Sequence, residues 1–332
     1  VNQTIAHDAA LLPPRHGLAS LAVPALAFLL AVVAGYRWLG EGADYDQYYL
    51  YFLTVTEYLS SNVSRFEIGY QYWSWFAANI LYLSFPVFYT ATAFFSLAVK
   101  FSVIKKHMYA PWFAILAYLL LFYPAHEYTQ IRVAVALAFA YFGIFKLHDR
   151  GFVVAALCFA LAVSFHSSAL VAIIIAVGAM FIPLRFTMFG FFLTSAAILY
   201  YRDLVTGQVL RFFNFNSTIE TIVDNPDLYE VNLVSITNLC LAVATGLCVA
   251  GGAHHGKLGR TFLTMSVSAF AFMILFQASP ILAQRVKEIL WLAILFLAFR
   301  PVTNAPLLAA RILLVLGGAW SVYRGIGEGL FG

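Results

Sequence analysis

The stretch IGYQYWSWFAANILYL, residues 68–83, decides the topology of this chain, because it reads either as a membrane span or as a helix lying in the interface. Charge separates the two readings. If 68–83 lies flat and the N-terminus is inside, Arg15, Lys100, Lys105, Lys106, Lys146, Arg150, Arg185, Lys257, Arg260 and Arg300 all face the cytoplasm. If it spans, nine of those ten move outside. Cytoplasmic loops carry the excess of Lys and Arg, which favours the first arrangement. Composition agrees, since Tyr70, Tyr72, Trp73, Trp75 and Tyr82 suit the headgroup region.

The rest of the chain calls for lipid as its solvent. Of 332 residues, 63% are apolar and 10% charged, with a mean hydropathy of +0.86. Soluble domains run at about 45–50% and about 25%. A soluble enzyme and a disordered regulator are therefore excluded. The net charge of +4 is spread over single basic residues with no Lys/Arg-rich run, so nucleic acid is not a partner. Cys158, Cys240 and Cys248 all sit inside apolar stretches, which suggests neither a disulfide framework nor a zinc site.

A span needs about 20 mainly apolar residues. Suitable runs lie near 18–36, 86–104, 110–124, 131–147, 152–165, 168–182, 186–201, 232–252, 261–277, 285–300 and 306–323. The first is longer than a signal-peptide core of about 7–15 residues and reads as a retained span. The expectation is an all-α polytopic membrane protein with about 11 transmembrane helices, forming one integral membrane domain over 1–332. Large outer loops cover about 37–85, with interfacial helices, and 202–231.

This topology sorts the acids. Asp8 and Asp149 fall inside, and the other 13 of the 15 Asp and Glu residues fall outside. Arg37, Arg65, Arg132, Arg202, Arg211 and Arg285 stand on that outer side too, where topology signals disfavour them. They either pair with the outer acids or serve an anionic ligand.

Five outer segments carry the candidate chemistry. In Gly42-Ala43-Asp44-Tyr45-Asp46-Gln47-Tyr48 the two acids either cap a helix or hold a divalent cation. Glu67 in Arg65-Phe66-Glu67-Ile68-Gly69-Tyr70 is either a first-turn acid or a carboxylate over an active site. Arg132, after the polar turn Tyr123 to Ile131, stands at a helix start, where a guanidinium needs an anion or a carboxylate beside it. His166 in Ser164-Phe165-His166-Ser167-Ser168 is the titratable group of a tight turn. Gln284-Arg285-Val286-Lys287-Glu288 repeats the Arg132 situation, and the two arginines together can clamp a phosphate or diphosphate.

These segments, in this order, resemble the EpsG family of membrane polysaccharide polymerases, relatives of the Wzy O-antigen polymerases. The resemblance lies in GADYDQY at 42–48, EIGY at 67–70, QIRVAVA at 130–136, FHSSAL at 165–170 and the Arg285 helix, and covers roughly 40–300. It departs at Val133, where the family commonly has a polar residue. The resemblance implies a GT-C-like architecture with juxtamembrane helices in the first outer loop. It also implies a substrate, an undecaprenyl-diphosphate-linked oligosaccharide, and a site facing the periplasm or exterior of a bacterial inner membrane.

In such a reaction Glu67 or His166 is the base and Asp44 orients sugar or supports that base. Arg132 and Arg285 hold the diphosphate with Arg202 as helper, and Gln130 and Tyr70 belong to the substrate-binding set. No cofactor and no metal are expected, and a chain-length regulator is an open partner besides membrane lipids. Two other classes compete: a flippase or transporter of lipid-linked oligosaccharide, and another outer-face transferase (a single-sugar GT-C enzyme, or an acyltransferase using His166).

Overall fold

The computed structural model describes residues 19–38, 44–61, 66–182, 235–275 and 280–327. Among these it is all helical: α1 (Ala19–Gly35), α2 (Tyr45–Ser61), α3 (Ile68–Asn79), α4 (Phe85–His107), α5 (Pro111–Leu121), a π-helical turn (Pro124–Thr129), α6 (Ile131–His148), α7 (Phe152–Phe165), α8 (Ala169–Phe181), α9 (Ile236–Ala250), α10 (Gly256–Leu275), α11 (Pro280–Ala298) and α12 (Ala305–Gly327). Ten of the eleven expected apolar runs thus appear as helices. The eleventh, 186–201, lies outside the described residues, as does the second large loop with Arg202 and Arg211. By length and composition α4, α6 and α12 suffice to cross a membrane, while α1, α5, α7, α8 and α9 are shorter apolar helices.

The decisive stretch forms α3, 12 residues long. The apolar helix α5 is no longer, at 11 residues, so the placement of α3 follows from its contacts and not from its length. The end of α1 and the start of α4 also meet at one end of the bundle. Tyr45 meets Phe85 edge-on at 5.0 Å, Phe52 stacks on Phe88 at 4.8 Å, and the Trp73 Nε1–H donates to Thr92 Oγ1 at 2.9 Å. Helices α2 and α3 therefore belong to that same end.

The helices approach closely because small residues line their contacts. Ala27, Ala31 and Ala34 of α1 are fully buried, and α1 packs along α4. A Cβ on Gly35 would stand 2.7 Å from the Pro86 carbonyl oxygen. Such residues let helix backbones come together where lipid offers no hydrophobic drive for association. Gly143 of α6 lies against Phe159 of α7 and Gly317 of α12 against Cys240 of α9, and α10 packs along α11.

Lys105 and Lys106 end α4, Lys146 ends α6, Arg150 follows it, Lys257 opens α10 and Arg300 follows α11. These sites share the opposite end. There the Tyr109 N–H donates to Phe299 O at 2.8 Å and Asn304 Nδ2 to Gly251 O at 2.8 Å. Arg311 lies buried in the same region and closes the C-terminus of α11, donating to Ala298 O at 2.9 Å and Val302 O at 2.7 Å. Cationic donors suit the negative end of a helix.

Two expectations need correction. Lys100 does not sit on a charged face; it is buried in α4 and pairs with Glu127 at 2.7 Å. The segment expected as a polar outer turn is the π-helical turn, with His126, Glu127 and Tyr128 buried. Glu127 also accepts from Tyr118 Oη at 2.6 Å and Ser96 Oγ at 2.9 Å. An unpaired charge in so dry a place is expensive, and three donors around one carboxylate offset that cost. Lys100→Met should therefore destabilise the protein by about 3–5 kcal/mol in detergent unfolding. Lys100→Met with Glu127→Gln should recover part of the loss. Equal stability of the single variant and wild type would show that the pair is dispensable.

Candidate functional site

Three helix ends converge on the Glu67 carboxylate. Glu67 stands at the N-cap of α3, but its side chain makes no capping hydrogen bond. It turns away from the helix. Its Oε2 pairs with Arg132 Nη1, from the first turn of α6. Its Oε1 accepts from the Ser167 N–H at 3.1 Å and from Ser167 Oγ at 3.3 Å, in the tight turn between α7 and α8. His166 Nδ1 lies 3.0 Å from the same oxygen. Of the readings open for Glu67, a carboxylate held within a cluster is the one observed.

A glycine makes this convergence sterically feasible. On Gly69 a Cβ would stand 2.8 Å from the Ser164 carbonyl oxygen, so α3 rests directly on the last turn of α7. Gly69 follows Glu67 by two residues, and Ser164 precedes His166 by two. The close approach brings the carboxylate and the imidazole together.

Arg132 is the second anchor. Its guanidinium lies over the Phe66 ring, 4.5 Å from the centroid, and its Nε donates to Tyr48 Oη in a long contact of 3.4 Å. Side-chain exposure is 13% for Arg132, 19% for Glu67 and 4% for His166, so the cluster is largely but not wholly closed. Arg285, half-buried near the start of α11, lies close enough for its charge to act on both Tyr48 and His166. The two arginines singled out in the sequence thus belong to one neighbourhood.

Protonation follows from these contacts. Burial alone would raise the Glu67 carboxyl, but His166, Arg132 and the Ser167 N–H outweigh it and hold the group well below the usual carboxylate range. Burial pushes the His166 imidazole below its ordinary value, against the opposing pull of Glu67. At neutral pH the arrangement is an ionised Glu67, a charged Arg132 and a neutral His166. His166 Nδ1 faces the Glu67 carboxylate at 3.0 Å, and among the described residues neither ring nitrogen makes a hydrogen bond. A carboxylate that orients an imidazole, leaving the other nitrogen as proton acceptor, is the arrangement used by general bases.

The remaining candidates lie around this cluster. Asp44 precedes α2, its carbonyl accepts the Tyr48 N–H at 3.1 Å, and its charge acts on the Tyr48 phenol; Asp46 is exposed in the first turn of α2. Gln130 donates to Glu288 Oε2 at 3.3 Å, tying the α6 start to α11. Tyr70 is fully buried among Tyr48, Tyr51 and Phe66 and supports the site from beneath. Arg202 falls outside the described residues. Among the described residues no three His, Cys, Asp or Glu side chains come together. Ser167 and Tyr48 were not singled out in the sequence, although each lies within a quoted motif; their position beside His166 and after Asp44 was the available signal.

The sequence model of the EpsG family matches residues 20–318, nearly the whole chain. The chain therefore belongs to the EpsG family and is a membrane protein of polysaccharide biosynthesis. No curated protein and no solved structure matches it.

Gly69→Ala should force α3 off α7 and separate Glu67 from His166. Hydrogen exchange would read this as faster exchange of the α3 amides, with α4 and α6 unchanged. Wild-type protection of α3 in the variant would mean that the close approach is not needed.

Proposed function

We propose that this EpsG-family chain is a polysaccharide polymerase. It transfers a growing glycan from undecaprenyl diphosphate onto the sugar terminus of a lipid-linked repeat unit, at the outer face of a bacterial inner membrane. The observation that carries the reading is the Arg132–Glu67–His166 cluster with Arg285 beside it, at the same end of the bundle as α2 and α3. A topology of about 11 spans, with the N-terminus inside, places that end outside.

His166 Nε2 takes the proton from the acceptor hydroxyl. That oxygen then forms its bond to the anomeric carbon of the growing chain, which is oxocarbenium-like at the transition state. The bond from that carbon to the diphosphate oxygen breaks, and the electron pair leaves with the lipid diphosphate. Arg285 and the open edge of Arg132 offset the charge that develops there. Glu67 is the positioning residue: it fixes the orientation of His166 and stabilises the imidazolium once the proton has arrived. Asp44 supports the sugar near Tyr48.

The leaving group stays attached to its lipid, so arginines at the membrane boundary are where its charge emerges. Deleting the gene and complementing it with variants, with surface polysaccharide run on a gel, tests the reading. Wild type should restore a long ladder. His166→Ala and Arg285→Ala should leave single-repeat material with at least about 100-fold less polymer, the scale of a lost general base. Loss of the single repeat itself would move the function to export or to an earlier assembly step.

A further inference from the structure

At the end of the bundle opposite the Glu67 cluster, neighbouring helix ends gather cations with too few acids to answer them. Helix α6 packs between α4 and α7. The ring of His107, last in α4, stacks on Phe145 of α6 at 4.2 Å, so the two C-termini meet. Lys106, Lys146, His148 and Asp149 all stand close enough for their charges to act on His107. Lys105, Lys106 and Arg150 are exposed, and Lys146 is half-buried. Among the described residues none of these four cations forms an ion pair, although Asp149 stands beside them. Lys100, Arg132 and Arg311, by contrast, each meet a partner.

The backbone at Arg150 is a second, independent observation. The chain leaves α6 in a left-handed turn, where the Gly151 N–H donates to Lys146 O at 2.8 Å and the Arg150 N–H to Leu147 O at 3.1 Å. Arg150 itself holds the left-handed position, with φ at 61°. Glycine is the usual residue there, because it alone takes that conformation without steric cost. Lys146 and His148 already supply the cations that a helix C-terminus favours. The arginine therefore serves something besides the turn.

An apolar strip leads away from these cations. Phe139 and Phe142 are half-buried on α6, and Lys146 Nζ lies 5.2 Å from the Phe142 ring centroid. Exposed Phe95 of α4 meets Phe139 at 5.3 Å, and Phe152 and Val153 of α7 stand exposed just after Arg150. Cations at the helix ends and an open apolar flank below them match the two halves of a phospholipid.

We infer that this corner binds an anionic phospholipid of the leaflet at that end. Its phosphate sits among Lys106, Lys146 and Arg150, and an acyl chain lies along Phe142 and Phe139. Basic pockets between transmembrane helices hold such headgroups. An acidic peptide would meet the same cations but would leave the aromatic strip unused. The site is remote from the Glu67 cluster and stands whether or not the chain polymerises sugars.

Native mass spectrometry of the full-length protein in detergent, titrated with dioleoyl phosphatidylglycerol, tests the site. Wild type should hold this lipid at least about tenfold more tightly than dioleoyl phosphatidylethanolamine, a difference of about 1.4 kcal/mol. Lys106→Gln with Lys146→Gln should abolish that preference. The charge-keeping pair Lys106→Arg with Lys146→Arg should stay within about threefold of wild type, which guards against a folding defect. Arg150→Gly removes the cation and the backbone strain together, so thermal stability should hold or rise while the lipid binds more weakly. Free sn-glycerol 3-phosphate should compete poorly, since it lacks the acyl chain. An unchanged preference in the double Gln variant would overturn the site. An equal loss with Lys257→Gln, a charge at the same end on α10, would reduce it to diffuse surface charge. Displacement of the lipid by equimolar hexaglutamate would overturn it in favour of an acidic protein partner.

Discussion

A carboxylate that stays ionised at the edge of a membrane needs its charge answered from several sides, and Glu67 is answered from three helix ends. Arg132 comes from the start of α6, while Ser167 and His166 come from the turn joining α7 to α8. The residue that gathers them stands at the N-cap of the short helix α3. This sets the logic of the whole end: α3 must rest on α7 through Gly69, and α2 must cover α4 through its aromatic rings. The interaction is electrostatic, but its geometry is made by packing.

The same rule governs the interior. Lys100 and Glu127 neutralise each other among Tyr118 and Ser96, and Arg311 spends its charge on the exposed carbonyls at the end of α11. Charged groups in these positions are tolerated because each meets a partner of suitable geometry. Arg132 differs in one respect. It is paired, yet 13% of its side chain stays open, next to a neutral imidazole whose nitrogens make no hydrogen bond among the described residues. Structural pairs here are closed, and the site pair is left ajar.

Much of this end could be read in advance. Counting Lys and Arg across the helix ends reads 68–83 as an interfacial helix and assigns Glu67, Arg132, His166 and Arg285 to one side, and the structure brings these four to one end of the bundle. What the residues could not settle was whether Arg132 meets a ligand or Glu67, because a guanidinium recognises carboxylate and phosphate with the same fork. Lys100 was misplaced because a charge count treats every lysine as belonging to a face, and its partner stands 27 residues away. A cavity beside α9, between 121–126, 235–241, 287–291 and 320–325, had no local pattern at all, since its lining comes from four separate stretches that only packing assembles.

The central claim is that His166 takes the proton and Glu67 positions it. The direct measurement is the pH dependence of polymerisation by the purified protein on a synthetic lipid-diphosphate repeat unit, for wild type and Glu67→Gln. A buried His166 places the wild-type acid limb below the ordinary histidine value of about 6.5. The Glu67 anion raises the His166 pKa, so removing that charge should lower it. The account predicts residual activity in Glu67→Gln with its acid limb shifted to lower pH. Loss of all activity, with the limb gone at every pH, would make Glu67 the base and contradict the account.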